Sequence, residues 1–316
     1  MSRFRDIRIC AGSSIPSLTR AVADDLGTGL GGLECKTFSD GERRVQYEQT
    51  VRGVDLFLFQ STSTPVNDHL MELLLMIDSA RRASAARITA VIPYLGYSRQ
   101  DRKDRPRVPI SAKLVANLIE EAGADRVLTM HLHADQIQGF YDIPVDHLYS
   151  TPLVVNYLNE NYDDENSVVV APDAGAADRS RALARRVDFD LAIIDKRRPE
   201  PNRSKVANII GDVEGRNAII LDDMIDTAGT LTGAAEAIDQ EGAKSVRAVA
   251  THPLFSEPAI ERIEDSPLED VTVCDTISLS DKASKSDKIN VLSTAELISD
   301  AIRCIHEEQS IQELFV

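Results

Sequence analysis

The stretch 219–230, IILDDMIDTAGT, runs three carboxylates, Asp222, Asp223 and Asp226, into the small or hydroxylic residues Thr227, Ala228, Gly229 and Thr230. Small residues let backbone N–H groups come close to a bound group, and a helix start aims several of them at one point. A phosphate there gains backbone hydrogen bonds, two hydroxyl donors and the favourable end of a helix dipole. No Gly-Lys-Ser/Thr follows, so this is not a Walker A loop. A carboxylate about 4 Å from a phosphate charge costs roughly 4 kcal/mol at an effective dielectric near 20. The acids are therefore expected to face hydroxyls or a metal, Asp222 and Asp223 on a sugar and 226–230 on its phosphate. The plainer alternative is an acidic strand end with a capping Asp or Thr.

Four other places combine reactive residue types. The segment 99–107, RQDRKDRPR, gathers Arg99, Arg102, Lys103, Arg105 and Arg107 in a chain whose formal net charge is −16. Such a cluster, with Gln100 and Asp101 inside it, can neutralise a polyphosphate and the charge of phosphoryl transfer. It can also be a solvated loop laced with ion pairs. In HLHADQ, His131 and His133 are expected on one face of a strand. His-x-His-x-Asp is also a metallo-hydrolase pattern, but Gln136 follows Asp135 where a further His is usual. The run VVVAPDAGAADR ends a strand at Asp173 before small residues whose amides can meet phosphate oxygens. AIIDKRRPEPN puts Lys196 and Arg198 just past another strand, and TFSDGERRV carries Phe38, Asp40, Gly41 and Glu42 at a turn. An aromatic there can stack on adenine while acids accept from its amino group.

The elements that hold these residues follow from periodicity. Short Val/Ile/Leu runs alternate with helical patterns: IRICAGSS, VDLFLFQ, RITAVIPYLG, RVLTMHLH, then SVVVAPD, DLAIID, NAIILDD, VRAVATH and VTVCDTI as strands. Between them lie helices near 16–27, 66–83, 111–123, 152–162, 175–186 and from Thr230, with a last one in TAELISDAIRCIHEE. Apolar runs buried on both faces signal parallel strands. The expected fold is α/β, two doubly wound parallel-sheet domains, 1–150 and 151–295, with 296–316 packing back on the first. Ligands then bind where strands end, where every residue singled out above lies.

At 316 residues, 43% hydrophobic and 27% charged, the chain has ample material for two cores. No charge-free window of about 18 residues suggests a membrane span. The opening MSRFRDIRICAGSS lacks the form of a secretory signal, which points to the cytoplasm. The acidic balance argues against nucleic acid as a partner. Cys10, Cys35, Cys274 and Cys304 form no CxxC pair and read as buried free thiols.

The acid pair followed by DTAGT resembles the phosphoribosyl-pyrophosphate loop shared by phosphoribosyltransferases and phosphoribosyl-pyrophosphate synthetases. YSRQDRK with VPISAKLVANL resembles the mobile catalytic loop of the synthetases alone, and the likeness runs from FSDGE to the terminal SIQELF. The fold it implies is phosphoribosyltransferase-like. The activity it implies is transfer of the diphosphoryl group of ATP to the anomeric hydroxyl of ribose 5-phosphate, giving phosphoribosyl pyrophosphate and AMP. By resemblance Lys196, Arg198 and Arg99 are catalytic, and His133 and Asp173 hold Mg2+. ATP is bound by Phe38, Asp40, Gly41, Glu42, Arg99, Gln100, Asp101 and His133, the hairpin reaching a neighbouring subunit. Ribose 5-phosphate is bound by Arg198 and by Asp222, Asp223, Asp226, Thr227, Ala228, Gly229 and Thr230. The family also implies a homohexamer built from dimers, with a phosphate or ADP site that draws on Arg52, Ser310 and Phe315. Departures are His131 for the usual aspartate, and Thr50 and Pro106 where serines are common. A base-dependent transferase and a non-catalytic regulatory paralogue are the rivals. The first has no use for 99–107, and the second tends to lose or interrupt that loop.

Overall fold

The computed structural model describes residues 6–162, 166–200 and 203–315, with the side chains at 196–200, 203–207, 313 and 315 outside that description. The chain divides into two compact units. The first runs to Tyr149 and takes back Thr276–Ser278 and the residues from Ser293 onward; the second comprises Ser150–Asp275 and Leu279–Leu292.

In chain order the first unit holds β1 (Ile7–Ala11), α1 (Pro16–Asp25), β2 (Leu33–Thr37), β3 (Arg43–Tyr47), β4 (Asp55–Phe59), α2 (Val66–Arg82), β5 (Arg87–Ile92), α3 (Ser111–Ala122), β6 (Arg126–Met130) and β7 (Val145–Leu148). The second holds α4 (Thr151–Asn161), β8 (Ser167–Ala171), α5 (Ala177–Val187), β9 (Asp190–Glu200), β10 (Arg203–Ile210), β11 (Asn217–Ile225), α6 (Gly229–Gln240), β12 (Ser245–Pro253), α7 (Ala259–Glu264), β13 (Leu268–Cys274) and β14 (Ile289–Leu292). Helix α8 (Ala295–Glu307) returns to the first unit.

Among the described residues the first unit has a parallel sheet ordered β1-β4-β5-β6-β7, beside the antiparallel β2–β3 hairpin. Strand β4 is buried along its whole length. Its side chains alternate, so Leu56 and Leu58 join the core under α2 and α3 while Phe57 and Phe59 fill the opposite face. Helix α8 buries Leu297, Ile298, Ala301, Ile302 and Ile305 at helical spacing and packs on α1. Ser299 and Arg303 of α8 both donate to the Asp25 carboxylate at the end of α1.

The second sheet is ordered β10-β9-β8-β11-β12-β13-β14, parallel except for the β9–β10 ribbon. Strand β8 leads outward to β9 on one side, and on the other β11 leads to β12, β13 and β14. The connection reverses between β8 and β11, which makes that crevice the switch point where such sheets bind ligands. Strand β8 is also buried throughout, as a strand covered on both faces requires.

Several expectations shift. The run DLAIID continues as β9 to Glu200, paired antiparallel with β10, so Lys196 and Arg198 lie on a ribbon and not just past a strand. Edge pairing with β10 supplies the hydrogen bonds that extend it. Strand β11 likewise runs on to Ile225 because β12 pairs with it as far as Pro253. Asp222 and Asp223 are strand residues, as the reading of NAIILDD has them, and the turn proper begins at Asp226. Cys10 and Cys274 are buried, but Cys35 and Cys304 are only partly so. Strands β7, β10 and β14 and helix α7 are too short or too polar to stand out by periodicity.

A buried charge cluster ties α8 to the sheet. Asp55, fully buried, takes two hydrogen bonds from Arg87, Nε to Oδ1 at 2.8 Å and Nη2 to Oδ2 at 2.5 Å. Arg87 Nη2 also donates to the Ile305 carbonyl at 3.0 Å, and His306 Nδ1 lies 2.8 Å from Asp55 Oδ2. Removing one partner of a buried pair strands the other. Asp55→Ala should therefore cost about 3 kcal/mol of unfolding free energy, read by urea denaturation of the first-unit signal. A loss within 0.5 kcal/mol, the range of an ordinary surface change, would show that the cluster does not hold the helix.

Candidate functional site

The second unit brings together the largest set of sequence-predicted residues. Strands β8 and β11 are paired in register, Ile220 opposite Val170, so Asp222 and Asp223 lie beside the chain that leads to Asp173. The turn 226–229 joins β11 to α6. Ala228 there has φ 58°, the left-handed conformation, and caps the helix that starts at Gly229. The first N–H groups of a helix have no partner within it, which is what an anion site requires. Thr227, Gly229 and Thr230 are exposed, while Ala228 is buried.

The acid pair is not symmetric. Asp223 is buried, and its Oδ1 lies 3.6 Å from Nη2 of Arg179 on α5. Asp222 Oδ1 accepts from the Asp223 backbone N–H at 2.8 Å. Burial first, and then the neighbouring Asp223, push the Asp222 carboxyl up to about 8. Burial thus favours the protonated form of Asp222, a form that can donate as well as accept toward a hydroxyl, and Asp223 faces a guanidinium.

Asp173 stands at the other side of the crevice with an exposed carboxylate. Its Oδ1 accepts from the N–H groups of Gly175 at 2.9 Å and Ala176 at 3.1 Å. The amides expected for phosphate at 173–176 are thus capped by the aspartate itself in this conformation, an ordinary N-cap arrangement. The Lys196 and Arg198 side chains fall outside the described residues; their backbones belong to β9, which pairs with β8 up to Ile193.

One contributor in this unit carries no motif. Arg262 of α7 donates from Nη1 to the Thr227 carbonyl oxygen at 2.8 Å. A β-carbon at Gly229 would lie 3.2 Å from the same nitrogen. A cation therefore braces the turn from outside. Its position on a short helix 35 residues downstream gave sequence reasoning nothing to find.

In the first unit, β5 and β6 are neighbours, and the chain leaving each carries chemistry. Strand β6 ends at Met130, and His131 takes φ 44°, so the backbone turns before His133. The expectation of two histidines on one strand face fails for that reason. Beneath the turn lies His147, buried on β7, whose Nε2 accepts from the Leu132 backbone N–H at 2.8 Å. Burial pushes His147 down to about 4, against the opposing pull of Asp135, so it is neutral and a competent acceptor. His133 itself is exposed.

The arginine-rich segment is exposed from Arg102 to Arg107 but anchored at its start. Gln100 accepts from the Ala112 N–H at 3.2 Å through its carbonyl and from Ser111 Oγ through its side chain. Asp101 Oδ2 accepts from Gln136 Nε2 at 2.8 Å, which ties this segment to the His133 turn. Phe38, 52% exposed, sits at the tip of the β2–β3 hairpin. There Phe38 N–H donates to the Glu42 carbonyl and Glu42 N–H to Asp40 Oδ1, with Gly41 at φ 95° closing the turn. Arg52 and Ser310 are exposed, and the Phe315 side chain lies outside the described residues.

Among the described residues no three His, Cys, Asp or Glu side chains form a ready-made metal cage, and no helix is long and apolar enough to cross a membrane. An oxygen-seeking ion such as Mg2+ needs few protein ligands, because it keeps water and takes phosphate oxygens. An exposed carboxylate with one oxygen outside the cap, as at Asp173, suits that demand.

Two units built on parallel sheets, one with an acidic, small-residue turn at its switch point, define an α/β protein of two doubly wound domains. Residues 7–123 match the N-terminal domain of ribose phosphate pyrophosphokinase, and residues 198–316 match the phosphoribosyl synthetase-associated domain. A ribose-phosphate pyrophosphokinase of Clostridium tetani is 54% identical over 313 residues, covering 98% of each chain. That of Fusobacterium nucleatum is 51% identical over 316 residues, covering 100% of both. The crystal structure of phosphoribosylpyrophosphate synthetase from Mycobacterium smegmatis superposes with a TM-score of 0.90 at 40% identity, covering 96% of this chain and 100% of that one. The chain belongs to the ribose-phosphate pyrophosphokinase family.

Two measurements test this geometry. Asp222 binds its proton more tightly folded than unfolded, so stability falls as pH rises from about 4, the unfolded value, through about 8. Asp222→Asn should flatten that slope, measured as urea midpoints between pH 5 and 8; an unchanged slope would place the raised carboxyl elsewhere. Arg262→Ala should raise KM for a phosphorylated sugar by about tenfold, a loss of roughly 1.4 kcal/mol, with the KM for nucleotide held. Equal changes in both would mean that Arg262 serves only the fold.

Proposed function

We propose that this protein is a ribose-phosphate diphosphokinase that moves the diphosphoryl group of ATP to the anomeric hydroxyl of ribose 5-phosphate, giving phosphoribosyl pyrophosphate and AMP for nucleotide biosynthesis. The observation that carries the reading is the pairing of β8 with β11, which sets an acid pair, a phosphate turn and Asp173 at one switch-point crevice. Family membership supports the same activity.

Each group has a task set by its chemistry. Asp222, Asp223 and Asp226 take the sugar hydroxyls, and residues 227–230 with Arg198 take the 5-phosphate. Phe38, Asp40, Gly41 and Glu42 hold adenine, and Arg99, Gln100, Asp101 and His133 hold the rest of ATP. The anomeric oxygen attacks the β-phosphorus; that O–P bond forms as the bond to the AMP oxygen breaks, and the hydroxyl proton leaves to solvent. Lys196, Arg198 and Arg99 offset negative charge on the leaving oxygen and the transferred group. No side chain needs to become covalently modified. His133 and Asp173 would hold Mg2+, which supplies charge neutralisation on the phosphate oxygens. The anchored start of 99–107, with an exposed remainder, suits a segment that closes over substrate and excludes water.

A base-dependent phosphoribosyltransferase would use the 222–230 turn but has no need for an arginine-rich segment tied to the His133 turn. A homohexamer built from dimers, a cytoplasmic setting and an anion site drawing on Arg52, Ser310 and Phe315 complete the proposal. They rest on motif resemblance alone.

The test is AMP release from ATP with and without ribose 5-phosphate. Release should depend on the sugar, and Lys196→Ala should lower kcat by about 10²-fold or more, the size of a lost transition-state contact, with an unchanged melting curve. Sugar-independent AMP release, or near-normal turnover in the variant, would reject the assignment.

A further inference from the structure

One carboxylate buried in α2 gathers four separate segments of the first unit. Glu72 is 0% exposed. Its Oε1 accepts from the Ser13 backbone N–H at 2.7 Å, in the turn after β1, and from Gln60 Nε2 at 2.8 Å, just past β4. Its Oε2 lies 2.8 Å from Nη2 of Arg43, the first residue of β3, at ion-pair distance without the linear N–H geometry of a hydrogen bond. The same nitrogen reaches Ser13 Oγ at 3.2 Å, and Arg43 Nη1 donates to Thr37 Oγ1 at 2.6 Å. Gln60 is locked in turn: its Oε1 accepts from Ser14 N–H and Ser14 Oγ. Only glycine fits at position 12, where a β-carbon would stand 2.4 Å from that oxygen.

The hairpin has two ends, held by different forces. At the end away from its turn, Leu33 pairs with Tyr47, both pack with Val45 against the core, and Tyr47 Oη donates to the Met76 carbonyl at 2.9 Å. At the turn end Thr37 pairs with Arg43, next to Phe38 and Glu42. Phe38, Asp40 and Glu42 are all exposed there, and the buried Glu72 reaches this end of the hairpin through Arg43.

We propose that Arg43 and Glu72 form a positioning pair that sets the angle at which the hairpin presents Phe38, Asp40 and Glu42 to the nucleotide. The proposal rests on the reading of that hairpin as an ATP contact. Neither residue touches substrate. Their effect is on where the contacting groups stand before ATP arrives, and small misplacements of binding groups are costly. Glu72 is the better-determined partner, because the β1 turn and the residue after β4 fix it as well.

The experiment compares steady-state constants for Phe38→Ala, Arg43→Met, Glu72→Gln and the double variant, each checked for an intact thermal melt. Arg43→Met leaves the Glu72 hydrogen bonds to Ser13 and Gln60 in place, so it keeps the test open if Glu72→Gln fails to fold. Arg43→Met and Glu72→Gln should each raise KM for ATP about tenfold, as misplaced binding groups do, while KM for ribose 5-phosphate stays within about twofold. The double variant should be no worse than either single one, since the pair acts as a unit. An unchanged KM for ATP in folded Arg43→Met would overturn the proposal, as would a parallel rise in both KM values or simple additivity. Phe38→Ala separates the premise from the inference. If it leaves KM for ATP unchanged, the hairpin is not a nucleotide contact and the proposal falls with that reading. If it raises KM while Arg43→Met does not, only the positioning role falls.

Discussion

Burial of the strands on both faces is the constraint on which the rest depends. A parallel strand such as β4 or β8 has no solvent side, so it cannot carry an unpaired charge along its length. Polar chemistry is driven to the strand ends. In the second unit the carboxyl ends of β8 and β11 lie side by side, and the residues that leave them are the acids and small residues of the crevice. In the first unit the ends of β5 and β6 do the same for the arginine-rich segment and the His133 turn.

Among the described residues, the buried carboxylates Asp55, Glu72 and Asp223 each face a cation, and the pairings have mechanical consequences. Asp55 with Arg87 and His306 ties α8 to the start of β4. Glu72 with Arg43, Ser13 and Gln60 ties the hairpin to the chain just past the end of β4. Asp223 stands opposite Arg179, and burial pushes the carboxyl of its neighbour Asp222 up. A chain with net charge −16 has many acids to spare on its surface. It buries few of them, and where it does a cation or several N–H groups stand opposite.

The acidic turn also resolves an apparent contradiction. Three aspartates beside an anion cradle look self-defeating at a carboxylate–phosphate repulsion of roughly 4 kcal/mol. Asp222 and Asp223 leave the turn altogether by belonging to β11, and Arg262 adds a positive charge behind the cradle. The acids of the strand and the small residues of the turn thus stand on different parts of one connection.

Most of the fold was legible in the sequence, because buried parallel strands and amphipathic helices write period and length directly into residue types. The turn after β11 was legible too, since glycine, threonine and aspartate in DTAGT favour turns and helix starts. What was not legible depends on partners distant in the chain. The extension of β9 through Lys196 to Glu200 needs β10, whose residues show no strong alternation. The turn at His131 and the buried His147 beneath it need β7, a strand of four residues. Arg262 and Glu72 read as surface charges on helices until packing puts one over the phosphate turn and the other under the hairpin. By itself, then, the sequence determined which elements form and which loops hold reactive residues, because those are short-range properties of period and backbone freedom. Only tertiary structure decided which charges meet and which carboxyls are buried, because those follow from packing against residues far away in the chain.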